Sequence, residues 1–302
     1  MTRPLRHPLH DEFIKAYDAR AGSYDTEPGG IHQRLATDLV RWAKPMLSES
    51  LTSPTKVLDL CCGTGMVAYA ALHQCGPETI VDGVDISSKS LKIARAKARS
   101  NQRARFYHSS ATELERLHLQ QSSYSLVTCC SALLLLPTNI PTILHKWVAY
   151  LRPGGLLVFD IPAPNRQVIL NSLSRVVRSY QGPALDRDWM ESELSIKQFL
   201  KDASLEVLDV FLTESYRTIE LRAENVGVTW DNAAANPMFG IQKLTAAERA
   251  NGKEAFMKIM RDNADAQGLI RDECRFYICI ARRTRVSTTT LKNASLDASA
   301  AE

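Results

Sequence analysis

The chain has 302 residues and contains no uninterrupted apolar run of the roughly 18 residues that a membrane-spanning helix needs. No transmembrane span is therefore expected. Residues 1–11 are polar, carry two prolines and lack the apolar centre of a secretory signal, which points to a cytoplasmic protein. Net charge is also small, at +4, too little for a surface dedicated to nucleic acid. The seven cysteines make no framework. They fall as two adjacent pairs, Cys61-Cys62 and Cys129-Cys130, with Cys75, Cys274 and Cys279 scattered, and an odd count without spacing does not build a disulfide scaffold. No second Cys/His cluster supplies zinc spacing, so no metal is expected. There is no internal repeat. What is present is an ordinary globular mixture, 45% hydrophobic and 23% charged, long enough for one elaborated domain or two small ones.

Between residues 56 and 161 short apolar runs alternate with amphipathic segments, the pattern of an α/β doubly wound sheet. Strands are expected over 56–60, 79–84, 105–108, 125–130 and 156–161, the last introduced by Arg152-Pro153-Gly154-Gly155. Further strands are expected over 205–212 and 273–282, which makes seven. Ahead of this core, residues 13–47 read as two helices around a Pro28-Gly29-Gly30 break. The expected organisation is an N-terminal helical lid (1–50), an α/β core (51–212), a cap inserted between the last two strands (213–272), a final strand (273–283) and a disordered tail (284–302) rich in Ser, Thr and Ala.

The first strand carries the most information. Val57-Leu58-Asp59-Leu60-Cys61-Cys62-Gly63-Thr64-Gly65 ends in an acid and then a tight glycine turn ahead of a helix-compatible run. Glycine allows backbone to approach a ligand where a Cβ would clash, and the helix N-terminus behind it favours anions. Parallel strands place such a turn at the switch point of the sheet, where ligands bind. Asp85 ends the second strand 22 residues after Gly63, where a carboxylate can accept ribose hydroxyls. A nicotinamide-dependent oxidoreductase has the same two features, and that alternative stays open on these residues alone.

Asp59, Asp85 and the segment from Leu151 to Asp160, taken in this order, resemble the class I S-adenosylmethionine-dependent methyltransferases, in particular their UbiE-like small-molecule branch. The resemblance covers about residues 12–212. It implies a Rossmann-like fold and S-adenosyl-L-methionine as cofactor, with the turn from Asp59 through Cys61 and Gly63 to Gly65 holding the methionine portion and Asp85 with Ile86 at the ribose. Ser110, Ala111 and Thr112 then fall at the adenine, and Cys130 beside the cofactor. Tyr24, in Gly22-Ser23-Tyr24-Asp25, matches the lid tyrosine. Two departures stand out: Cys61 where many relatives have Gly, and Ser110 where the family usually has Asp.

Methyl transfer requires alignment, exclusion of water and loss of one proton. His32 and Asp160 are the candidate catalytic bases. Tyr17, His32, Ser131, Trp230, Asn236, Met238 and Phe239 are the candidate acceptor contacts, their composition suiting a small, mostly apolar metabolite. Neither the Asn/Asp-Pro-Pro-Tyr sequence of nucleobase amino-methylation nor an acidic pair for magnesium follows the fourth strand. The expected activity is O-, N- or C-methylation, within secondary metabolism. A non-methylating cyclase or eliminase on the same fold is the alternative. The sequence does not address oligomeric state.

Overall fold

The computed structural model describes residues 9–47, 54–98, 102–136, 140–164, 166–182, 190 and 192–284. The expected disordered tail lies, apart from Thr284, outside the described residues. Two helices come first, α1 (His10–Arg20) and α2 (Ile31–Leu47), joined by a connection of successive turns that includes the short helical turn Tyr24–Thr26. On α2 the apolar residues recur every three or four positions. Leu35, Leu39 and Val40 form one buried stripe, and Ala36 and Ala43 allow close approach to the next helix.

The core follows in alternation: β1 (Lys56–Leu60), α3 (Met66–Gln74), β2 (Ile80–Asp85), α4 (Ser88–Ala98), β3 (Ala104–His108), β4 (Tyr124–Cys129), α5 (Ile140–Val148) and β5 (Leu151–Pro162). β1 and β4 are buried along nearly their whole length, which is why they read as continuous apolar runs rather than alternating ones. Arg152 to Gly155, expected as a turn, belongs to the irregular start of β5. Gly154 takes a left-handed φ of 81° there, and the β4–β5 register shifts between Tyr124 and Leu126.

After β5 come α6 (Val168–Ser179), α7 (Glu193–Asp202), β6 (Leu205–Leu212), β7 (Thr218–Arg222), α8 (Val226–Ala235), α9 (Ala246–Asp262), β8 (Leu269–Glu273) and β9 (Phe276–Arg283). The main sheet has seven strands in the order β3-β2-β1-β4-β5-β9-β6, with β9 antiparallel to both β5 and β6. It is the mostly parallel, doubly wound sheet that the sequence predicts. The strand order reverses between β1 and β4, so their carboxyl ends flank the ligand crevice.

Two details differ from expectation. β9 begins at Phe276 because Leu269–Glu273 pairs instead with β7 in a separate two-stranded sheet. The segment expected as a cap, residues 213–272, also shares its apolar core with a helix outside it. That core joins Leu173, Val176 and Val177 of α6, which precedes β6, to Val226, Trp230, Ile241, Phe256 and Ile270. Among the described residues no helix is long and apolar enough to cross a membrane.

Candidate cofactor cleft and acceptor chamber

At the carboxyl end of β1 the backbone turns through three residues in left-handed conformation, Cys61 (φ 56°), Gly63 (53°) and Gly65 (88°). A Cβ on Gly65 would stand 2.8 Å from the Tyr69 ring, whereas one on Gly63 would meet nothing within 4 Å and would project into open space. Asp85 fixes the turn. Its Oδ2 accepts from the Gly63 N–H at 2.7 Å, and its Oδ1 accepts from the Ser87 N–H at 2.7 Å. Each oxygen keeps a second lone pair for a ligand hydroxyl. Burial pushes the pKa of Asp85 above the ordinary carboxyl value, and these amides pull it back.

Asp59 lies beneath the turn with 1% of its surface exposed. Its Oδ1 accepts from the Thr128 hydroxyl at 2.9 Å. Oδ2 is buried without a hydrogen-bond partner. Burial pushes this carboxyl up to about 7, against the opposing pull of Thr128 and of the nearby Ala68 N–H. A buried half-satisfied carboxyl beside a glycine turn fits a ligand that supplies a positive donor.

The cleft encloses about 1260 Å³ counted out to its mouth. Tyr24, Asp59, Cys61, Gly63, Asp85, Ile86, Ser110, Ala111, Thr112 and Cys130 all line it; Gly65 shapes the turn from behind. Ser110 is engaged locally. Its hydroxyl pairs with Thr112 Oγ1 at 2.7 Å and accepts from the Thr112 N–H, leaving Glu113 as the acid on that wall.

The N-terminal segment expected as a lid lines the opposite side. Tyr17 and Tyr24 meet edge to face at 6.1 Å, with the Arg20 guanidinium over both rings and bound in turn to Glu27. Two lid acids fasten it to the core. Asp25 accepts from the Thr64 hydroxyl at 2.5 Å and pairs with Lys97; Asp18 accepts from the Ser87 hydroxyl at 2.6 Å and from the Lys89 N–H. His32 stacks on Tyr24 at 4.8 Å. Its Nδ1 lies 3.3 Å from Ser131 Oγ and its Nε2 3.9 Å from Glu27. Burial pushes the pKa of this imidazole below its ordinary value, which favours the neutral form.

A second cavity of about 590 Å³ adjoins the cleft, sharing Tyr17, Ser131, Ala132 and Leu135 with it. Leu133, Leu134, Leu170, Met238, Phe239 and Pro162 supply apolar walls, and Asp160 supplies an acid. Ser131, left-handed at φ 54°, donates its N–H to Asp160 Oδ1 at 2.7 Å. Asp160 Oδ2 has no partner, and burial raises this carboxyl to about 6.

Two predicted acceptor contacts lie elsewhere. Trp230 is 2% exposed and packs on Phe256 and Gly252 inside the cap, because an indole that large gains more from a closed core than from a cavity wall. Asn236 caps the short turn at Pro237–Phe239 by accepting from the Met238 N–H at 3.0 Å, so it positions a wall residue without lining the chamber. Sequence reasoning missed the Leu133 to Leu136 run, Leu170, Glu113 and the lid acids Asp18 and Asp25. The leucine run, ending at Pro137 directly after the β4 site residues, was the available signal; the others depend on long-range packing.

Residues 57–155 match the family model described as a methyltransferase domain. Demethylmenaquinone methyltransferase of Staphylococcus aureus is 30% identical over 118 residues, which is 39% of this chain and 47% of that protein. The chain thus spans about half the length of the curated relatives it matches. Among solved structures, a methyltransferase-like protein from Bacillus halodurans superposes with a TM-score of 0.53 at 17% identity, covering 82% of this chain and 98% of that one. A phosphoethanolamine N-methyltransferase from Haemonchus contortus, solved with S-adenosyl-L-methionine, gives 0.52 at 17% identity, covering 92% and 58%. These two structures bear on the fold, and the family match bears on the segment that carries the glycine turn. Residues 57–155 of this chain, the segment that carries the glycine turn, are a methyltransferase domain similar to the class I S-adenosylmethionine-dependent enzymes.

Proposed function

We propose that this protein binds S-adenosylmethionine in the cleft and transfers its methyl group to a small, mostly apolar acceptor held in the adjoining chamber. The observation that carries the reading is the unpartnered Oδ2 of Asp59 beneath the glycine turn, in a cleft that opens past Ser131 into apolar walls. The cofactor supplies an electrophilic methyl group on a sulfonium. Asp59 Oδ2 receives the ammonium of its amino-acid end, and backbone N–H groups at the start of α3 receive the carboxylate. Asp85 accepts from the ribose hydroxyls with its remaining lone pairs.

Tyr17, Tyr24 and Arg20 close the lid side and exclude water, which strengthens every charge interaction inside. His32, within 3.3 Å of Ser131, takes the acceptor proton in this reading, with Asp160 as the second base at the chamber wall. Domain roles follow: residues 1–50 as lid, 51–212 with 273–283 as cofactor-binding core, and 213–272 as the main part of an acceptor cap. The acceptor is a free small molecule of specialised, secondary-metabolic type rather than a nucleic acid, in a cytoplasmic setting.

Calorimetry with S-adenosylhomocysteine, followed by incubation with labelled S-adenosylmethionine and a panel of lipophilic phenols, acids and amines, tests the proposal. Binding of the homocysteine product with label incorporated into at least one small acceptor is expected. Absence of binding, or labelling confined to peptides or RNA, overturns it.

A further inference from the structure

The chamber next to the cleft holds a buried carboxyl, touched by the Ser131 N–H and the Cys130 thiol, with no cation among the described walls. Asp160 is 1% exposed, receives one N–H from Ser131 on Oδ1, and has no hydrogen-bond partner on Oδ2. Apart from Tyr17, Ser131 and Asp160 the described walls are apolar, and no Lys, Arg or His is among them. A carboxylate in such a place costs free energy unless an occupant supplies the missing donor. A neutral hydroxyl meets the hydrogen bond but not the charge; an ammonium meets both, and charge-assisted bonds are roughly twice as strong as neutral ones. Asp160 also sits beside the channel shared with the cleft, where a sulfonium and a second cation would repel each other without an anion between them.

We propose that the acceptor is a lipophilic amine, its ammonium seated on Asp160 Oδ2 and its apolar body packed among Leu134, Leu170 and Phe239. The inference rests on the reading of cleft and chamber given above. In the reaction the ammonium gives one proton to Oδ2 and becomes a neutral amine. Its nitrogen lone pair then forms the new bond to the methyl carbon while the electron pair of the carbon–sulfur bond stays on sulfur, and Asp160 returns its proton to solvent. For an amine acceptor Asp160 thus both seats the ammonium and takes its first proton, which leaves His32 as the base for a proton shed after methyl transfer.

The test uses the full chain saturated with S-adenosylhomocysteine and three probes of one shape: phenethylamine, phenethyl alcohol and ethylbenzene. Calorimetry is expected to rank the amine at least about tenfold tighter than the other two. In Asp160→Asn this preference falls to within about twofold while binding of S-adenosylhomocysteine is unchanged, which separates seating in the chamber from adventitious binding at Asp59. If the alcohol or the hydrocarbon binds wild-type protein as tightly as the amine, or if Asp160→Asn keeps the preference, the amine inference is overturned and the cofactor reading stands. If S-adenosylhomocysteine itself fails to bind the wild type, both fall. Should Asp160→Asn lose S-adenosylhomocysteine binding through misfolding, Asp160→Ser replaces it, and the wild-type ranking still decides.

Discussion

Replacing Asp59 by Asn should make the ligand-free protein more stable and its cofactor binding weaker. The carboxyl is 1% exposed, and burial moves it from an ordinary 3.8 to about 7. A carboxyl raised in the folded state holds its proton more tightly there than in the unfolded chain. Its contribution to stability is therefore fully present below about pH 4 and is lost as pH rises to about 7. The interval of about three units corresponds to roughly 4 kcal/mol at about 1.4 kcal/mol per unit. Asn carries no charge and keeps an acceptor for the Thr128 hydroxyl. Urea unfolding of the ligand-free proteins at about pH 8 should thus show the variant more stable by about 2–4 kcal/mol, the difference vanishing near pH 4. The same substitution removes the charged partner of the ligand ammonium, so calorimetry should show S-adenosylhomocysteine binding weakened by about 1.5–3 kcal/mol, roughly 10- to 150-fold. In the wild type the affinity should also fall below pH 7, as the carboxyl takes up the proton that the ligand must displace. A variant less stable than wild type at pH 8, or one that binds as tightly, would refute the account of Asp59 as a site held ready for a cation.

Two further substitutions separate the cap from the cleft. Trp230→Ala removes the largest side chain of the cap core and should cost about 3–5 kcal/mol of stability by urea unfolding, with S-adenosylhomocysteine affinity per folded molecule unchanged. Gly83→Ala places a Cβ 2.6 Å from the Phe106 ring and 2.9 Å from Cys62 Sγ. The strain should cost about 1–3 kcal/mol and, because Cys62 belongs to the glycine turn, should weaken S-adenosylhomocysteine binding as well.

Much of the frame could be read along the chain because it is written in local periods. The five apolar runs from Lys56 to Ile161, the small residues of α3 and the Gly63-Thr64-Gly65 turn specify parallel strands and a turn through spacing alone. Asp59 and Asp85 were equally visible as acids at strand ends. Their unequal states were not. Asp85 has both oxygens taken by backbone amides of two different loops, and Asp59 keeps one oxygen free; that difference arises only when β1, β2 and β4 lie side by side.

The cap shows the limit from the other side. Aromatic, Met and amide residues between β6 and β9 suggested a binding wall, yet Trp230 and Met238 look alike to a composition argument. Tertiary packing sends the first into a core shared with α6 and leaves the second facing the chamber beside Leu170, a residue nearly seventy positions earlier. The sequence by itself determined the sheet, the turn and the acids offered to the cofactor, because strand period and glycine geometry act over a few residues. Only the tertiary structure decided which carboxyl is left unpaired and which apolar side chains face it, because burial and hydrogen-bond partnership depend on neighbours distant along the chain.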